Sequence, residues 1–282
     1  MRVVSAPMIH HLDCGTMCPH AGVALRLVDR STRHLVARCT LIEAPGGLVL
    51  IDTGYGTGDV ADPRRLGPAR HLLGARLDPA QTAAARVRAL GHDPADVRHV
   101  LVTHLDLDHA GGLGDFPGAQ VHVHGTELAT MRAGRRSDAL RYRTAHWAHG
   151  PRWVEHAADG EAWFGFERAR LLEDVGVEIA MIPLFGHSAG HAGYAVEGPD
   201  GWILHAGDAY LHHGEIETPA RAGRGLRAYH RINCEDAGLR RMNAGRLADL
   251  VAAHGDQVTV HCSHDAVELA RDVRTPDPTA PA

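Results

Sequence analysis

Within six consecutive residues, His104-Leu105-Asp106-Leu107-Asp108-His109, the chain places two imidazoles and two carboxylates. His and Asp are ordinary ligands of divalent metals. Four of them in one loop make poor packing material, because burying such groups without partners is costly. A bound cation removes that cost; a solvated polar loop is the plainer alternative. Gly186-His187-Ser188-Ala189-Gly190-His191, Gly207-Asp208-Ala209 and Ser263-His264-Asp265 offer further ligand-type side chains later in the chain.

Each of these stretches follows a short apolar run. Val97 to Val102 reads as a buried strand, so His104 to His109 sit on a loop at its end, with Ala110-Gly111-Gly112 as a turn beyond. Glu178 to Ile182 leads to His187, Trp202 to His205 leads to Asp208, and Val258 to His261 leads to His264. Leu48 to Ile51 ends at Asp52-Thr53-Gly54, where Asp52 is expected to brace the turn behind it, in contact with the site, the sharper alternative being a carboxylate that orients a metal ligand. His205 reads as a packed core imidazole and His191 as a brace for the His187 loop. His264 is preferred to His261 as the last ligand because it stands at the strand end.

Further strands are expected at Val23 to Val28, Leu35 to Ile42, Gln120 to His124 and Tyr194 to Val196. Asp78-Pro79 supplies a helix start, with Ala83, Val87 and Leu90 on one side and a stop at Gly91. Asp93-Pro94 predicts a single turn, and Thr126 to Ala133 a helix. A longer helix carries Leu239, Met242, Leu247, Leu250 and Val251 at helical spacing up to Gly255. Residues 134–177 hold Trp147, Trp153, Trp163, Phe164 and Phe166 and read as a helical insertion whose aromatic rings anchor it to the body. One domain is expected over 1–274, followed by a disordered tail, 275–282, with Pro at 276, 278 and 281.

Composition narrows the class. The 282 residues are 44% hydrophobic and 22% charged, ordinary for a globular chain, and carry a net charge of −5. No basic run stands out, so a nucleic-acid partner is disfavoured. Lys is absent and His is abundant at 23, which favours a metalloprotein. Five Cys form no disulfide framework; Cys14 and Cys18 read as free thiols. No run reaches the length of a membrane span, and the N-terminus lacks the apolar core of a signal peptide, so a cytoplasmic protein is expected.

The order H-x-D-x-D-H, Gly-His-Ser-x-Gly-His, Gly-Asp-Ala, Ser-His-Asp, preceded by Leu-Ile-Asp-Thr-Gly, resembles the metallo-β-lactamase superfamily from about Thr40 to Leu269. Within it the chain is most similar to the quorum-quenching N-acyl homoserine lactonases. The resemblance implies an α/β fold, a four-layer αβ/βα sandwich with the metal site along one edge. It further implies that His104, Asp106 and His187 bind one metal, that Asp108, His109 and His264 bind a second, and that Asp208 bridges them. The implied chemistry is hydrolysis of a lactone or related ester by a metal-bridging hydroxide. Asp108 would carry the proton to the leaving oxygen, and Tyr210 would donate a hydrogen bond to the substrate. Two divalent ions are expected, Zn foremost. Asp106 stands where most hydrolases of this superfamily carry His, which admits Mn or Fe, or a single ion if Asp106 swings away. A thioester hydrolase of the glyoxalase II type, an iron-dependent persulfide dioxygenase-like oxidoreductase and a metal-binding protein without turnover share the same ligand order. The partner expected is a small molecule rather than a nucleic acid or membrane, and the aromatic insertion allows a homodimer.

Overall fold

The structure is a computed structural model and describes residues 7–18, 34–157, 159–168, 170–172, 175–217, 220–221 and 224–274. The expected strand at 23–28 and the expected tail at 275–282 lie outside them.

Alternating and continuous apolar runs make two sheets. The first has seven strands: β1 (Met8–Met17), β2 (Leu35–Ala44), β3 (Gly47–Ile51), β4 (Ala75–Arg76), β5 (Val97–Leu101), β6 (Gln120–His124) and β7 (Arg152–His156), in the order β4-β1-β2-β3-β5-β6-β7. A hairpin, β8 (Gly160–Trp163) and β9 (Phe166–Arg168), stands apart. The second sheet is β10 (Arg170–Leu171), β11 (Ile179–Pro183), β12 (Ala192–Gly198), β13 (Gly201–His205) and β14 (Val258–His261), paired in sequence order. β3, β5, β6 and β7 run parallel, as do β13 and β14. β11 and β13 both run antiparallel to β12, so β11, β13 and β14 end at one edge of their sheet.

Between the sheets, Ile42, Val49, Ile51 and Leu101 of the first pack against Ile179, Met181, Tyr194 and Val196 of the second. The Tyr194 hydroxyl crosses this layer and donates to the Val102 carbonyl at 3.1 Å. The helices are α1 (Thr57–Ala61), α2 (Ala69–Leu73), α3 (Ala83–Ala89), α4 (Gly125–Ala133), α5 (Arg224–Asn233), α6 (Ala237–His254) and α7 (Ala266–Arg274). Ala83, Ala84 and Val87 of α3 and Leu128 of α4 cover the outer face of the first sheet, and Leu247 and Leu250 of α6 that of the second. This is the αβ/βα sandwich.

Several local expectations need correction. β1 is not among the expected strands, because its inward residues Leu12, Cys14 and Met17 are interleaved with His10, His11 and Asp13. Asp78-Pro79 starts a 3-10 turn over Pro79–Gln81, and Thr82 caps α3 through the Ala85 amide. In α6, Met242 and Val251 face water. Arg240 and Asn243 turn inward instead, holding the carbonyls of Ala209 at 3.0 Å and Phe185 at 2.8 Å. Among its described residues, segment 134–177 holds no α-helix: with 3-10 turns at Arg136–Asp138 and Thr144–His146 it forms β7 to β10. Its aromatic residues do anchor it, Trp147 and Trp153 on the first core and Trp163, Phe164 and Phe166 on the second.

Leu101 is fully buried between the sheets, whereas Leu90, expected on the packed side of α3, is 39% exposed. Leu101→Ala is expected to cost ~2–5 kcal/mol in denaturant unfolding and Leu90→Ala less than ~1 kcal/mol. Equal midpoints for the two variants would contradict this packing.

Candidate metal centre

The ligand-type residues follow the C-terminal ends of strands that run in one direction within each sheet: Asp52 after β3, His104 to His109 after β5, His187 after β11, Asp208 after β13 and His264 after β14. Open α/β sheets place ligands at these ends, where the loops are held at the base and free at the tip. His104, His187 and Asp208 bring one ligand atom each within 4.8 Å of one another, and so do Asp108, His109 and His264. Asp208 joins the two groups: Oδ1 lies 3.4 Å from His109 Nε2, Oδ2 lies 3.5 Å from His187 Nε2, and His264 Nε2 is 3.0 Å away. The Asp106 Oδ2 atom is 3.1 Å from His187 Nε2 and 3.4 Å from His104 Nε2. All seven expected ligands therefore converge.

Each imidazole commits its outer nitrogen elsewhere. His264 Nδ1 donates to the Val36 carbonyl at 2.6 Å and His109 Nδ1 to Asp52 Oδ2 at 2.8 Å. His104 Nδ1 lies 3.0 Å from Thr103 Oγ1, which itself donates to Asp52 Oδ2 at 2.8 Å. His187 Nδ1 lies 3.8 Å from Cys234 Sγ. An Nδ1–H pointing outward leaves the Nε2 lone pair pointing inward, the tautomer a metal requires. His104 Nε2, His109 Nε2 and Asp208 Oδ1 are buried without a hydrogen-bond partner. Buried polar atoms left without partners in these two groups fit divalent cations.

The electrostatics agree. Burial opposes every charge here, yet His264, His109 and His187 hold the Asp208 carboxyl well below the usual range. Burial would likewise lower His109, but Asp208, Asp52 and Asp108 lift it to about 10. Burial pushes the Asp108 carboxyl up, against the pull of His109 and His264. Burial lowers His104 and His187, whereas the carboxylates of Asp208 and Asp108 also raise His264 against its burial, so His109 and His264 hold protons that a bound cation would replace.

Asp52 does more than brace a turn. It adopts a left-handed φ of 56°, uncommon for a residue with a side chain, and from there also accepts the Thr103 amide at 2.8 Å. One carboxylate thus orients both His104, through Thr103, and His109. Glu127 on α4, not identified from sequence, ties two ligand loops together. It accepts from the Leu105 amide at 3.0 Å, the Ser188 hydroxyl at 2.7 Å and the Gly190 amide at 3.1 Å. A Cβ on Gly190 would lie 2.1 Å from the Glu127 nitrogen, so the loop admits only glycine there. Fully buried His205 lies within 3.0 Å of Thr40 Oγ1 and 3.1 Å of Ser263 Oγ, a core residue as expected. His191 accepts the Asp208 amide at 2.8 Å, so it braces the Asp208 loop.

Tyr210 is not where its expected role needs it. Its hydroxyl donates to Glu268 Oε1 at 3.0 Å, inside the second core, because the chain turns inward after Asp208. Two tyrosines line the cavity beside the ligands: Tyr142, whose hydroxyl donates to Glu127 Oε1 at 2.9 Å, and Tyr229 of α5. The carboxylates of Asp108, Asp208 and Asp106 add to burial in raising the Tyr229 phenol. Nothing in the spacing of Tyr229 marks it. The cavity measures about 660 Å³; Asp106, Asp108, Asp208 and His264 reach it, and Leu72, Leu140 and Ile232 stand exposed around it. Cys14 and Cys18 are free thiols. Among the described residues no helix is long and apolar enough to cross a membrane.

Two measurements check this geometry. Asp52→Ala is expected to weaken zinc binding by roughly 10- to 100-fold in chelator competition, with unchanged affinity counting against the orienting role. Glu268 is raised from 4.5 to about 7 by burial, with Asp265 next. Its folded-state value exceeds the unfolded one, so the stability it lends is complete below about pH 4.5 and is lost as the pH rises through about 7. Glu268→Gln removes that loss, so the variant should gain up to ~3 kcal/mol on wild type across this interval in urea unfolding. Parallel pH curves for the two proteins would contradict the buried carboxyl.

The chain matches the profile of the Metallo-beta-lactamase superfamily over residues 33–254. It is 39% identical over 267 residues to a protein of Mycobacterium tuberculosis named a probable metallo-hydrolase, covering 94% of this chain and 83% of that protein. It is 31% identical over 199 residues to the N-acyl homoserine lactonase AttM of Agrobacterium fabrum, covering 68% and 72%. Among solved structures, an N-acyl homoserine lactone hydrolase with N-hexanoyl-L-homoserine bound at its catalytic metal center superposes with a TM-score of 0.68 at 20% identity, over 95% of this chain and 96% of that one. With the ligand order on strand ends, the sandwich and these likenesses together, the chain belongs to the metallo-beta-lactamase superfamily.

Proposed function

We propose that this hydrolase of the superfamily holds two divalent ions, Zn foremost, and opens a lactone or a related ester. One observation carries the reading: seven ligand-type side chains gather in two adjoining groups, and four of them, Asp106, Asp108, Asp208 and His264, reach a cavity large enough for a small substrate. The lactonase relatives support the choice of substrate.

His104, His187 and Asp106 would hold one ion, Asp108, His109 and His264 the other, and Asp208 would join them. Bound there, two such ions supply a nucleophile from water near neutral pH and polarise a carbonyl. The side chains do the rest. Asp108 is buried, its carboxyl is raised, and it reaches the cavity, so it can accept a proton and pass it to the leaving oxygen. Tyr229, rather than Tyr210, is placed to donate a hydrogen bond to the substrate from the cavity wall. Leu72, Leu140 and Ile232 exclude water from an apolar arm of the substrate.

The test is elemental analysis of the purified protein together with a panel of lactones, aryl esters and thioesters. Lactone turnover abolished by chelation and restored by Zn is expected. Asp108→Asn should lower kcat by roughly 10²–10⁴-fold and Tyr229→Phe by about 10²-fold, while Tyr210→Phe leaves it close to wild type. No turnover of any member after reconstitution with Zn, Mn or Fe would overturn the proposal, and faster thioester cleavage would move the substrate class.

A further inference from the structure

Asp106 does not meet the other ligands alone. Nη1 of Arg141 lies 2.9 Å from both Asp106 oxygens, and Nη2 donates to the Asn233 carbonyl at the end of α5. The two side chains are 18% and 13% exposed, so water screens the pair only in part. Oδ2 is also the oxygen that approaches His104 and His187, so the carboxylate is shared between the guanidinium and the ligand cluster.

We propose that Arg141 sets the net charge of the metal centre: it cancels the third carboxylate, so that Asp106 fills a coordination position without adding negative charge. This rests on the two-ion reading above. A guanidinium does not lose its proton at any ordinary pH, so the offset is permanent. Asp106 and Arg141 together present a neutral ligand, equivalent in charge to an imidazole. The sign follows from Coulomb's law. A fixed positive charge near the ligands weakens their hold on a cation, and it keeps a held cation a stronger electron acceptor than three unopposed carboxylates would. Arg141 is thus a positioning residue acting through Asp106. Its place in segment 134–177 makes the charge of the centre depend on that segment being folded over the site.

This assigns opposite directions to affinity and turnover, which a merely structural brace would not produce. Arg141→Met should bind zinc on the order of tenfold more tightly in competition with a chelator, and turn over its best ester substrate on the order of tenfold more slowly. Arg141→Lys keeps the charge and should stay near wild type in both. Asp106→His alone leaves the guanidinium unopposed and should weaken zinc binding. The double variant Asp106→His with Arg141→Met restores the charge and should recover wild-type affinity. The affinities are read on protein with or without activity, beside metal content and the melting temperature of the metal-free form. Arg141→Met that loses affinity and activity together, or changes neither, overturns the proposal. A wild type that binds no divalent ion sinks instead the two-ion reading on which it rests.

Discussion

The structure is organised by the cost of burying charge. Asp106, Asp108 and Asp208 meet four buried imidazoles at the base of a cavity, and such groups stay together only if every outer polar atom is satisfied and every inner one shares a cation. The outer atoms are satisfied by the backbone of β2, through the Val36 carbonyl, and by Asp52 at the end of β3. The first sheet therefore does two jobs. It delivers the H-x-D-x-D-H loop from β5, and it aims the imidazoles of that loop and of His264, which comes from the far side of the sandwich.

A second layer of buried polar residues keeps the loops in register. Glu127 spans the His104 and His187 loops, and Glu215 receives Arg240 at 2.9 Å while accepting the Leu211 amide at 2.8 Å beyond Asp208. Neither touches the ligand atoms. Both are carboxylates in the core, a costly choice that is stable because each accepts several hydrogen bonds. This explains why α6 turns Arg240 and Asn243 inward where an apolar residue would pack at lower cost: the loop carbonyls of Ala209 and Phe185 need donors.

The cover over the site has a different construction from its floor. Segment 134–177 is fastened by Trp and Phe to both cores and sends Leu140 and Arg141 towards the cavity, while α5 supplies Tyr229 and Ile232. The floor is held by hydrogen bonds, whose directions are strict. The wall is held by apolar contact, which tolerates change of shape and residue.

The sequence by itself determined the strands that lead into the site and the ligand-type side chains that follow them, because both are local, but not β1 or β7 to β10. A run such as Val97 to Leu101 declares a buried strand by composition, and six residues of loop beyond it declare a metal by the chemistry of their side chains. Asp52, His187, Asp208 and His264 could be placed on the same edge because each follows such a run. Only the tertiary structure decided what depends on contacts between distant segments. Tyr210 and Tyr229 are indistinguishable in sequence, yet one spends its hydroxyl on Glu268 and the other faces the cavity. Glu127 and Arg141 look like surface charges until α4 and segment 134–177 fold back over the loops. A side chain's direction follows from local periodicity, whereas its partner is chosen by segments that meet only once the two sheets have packed.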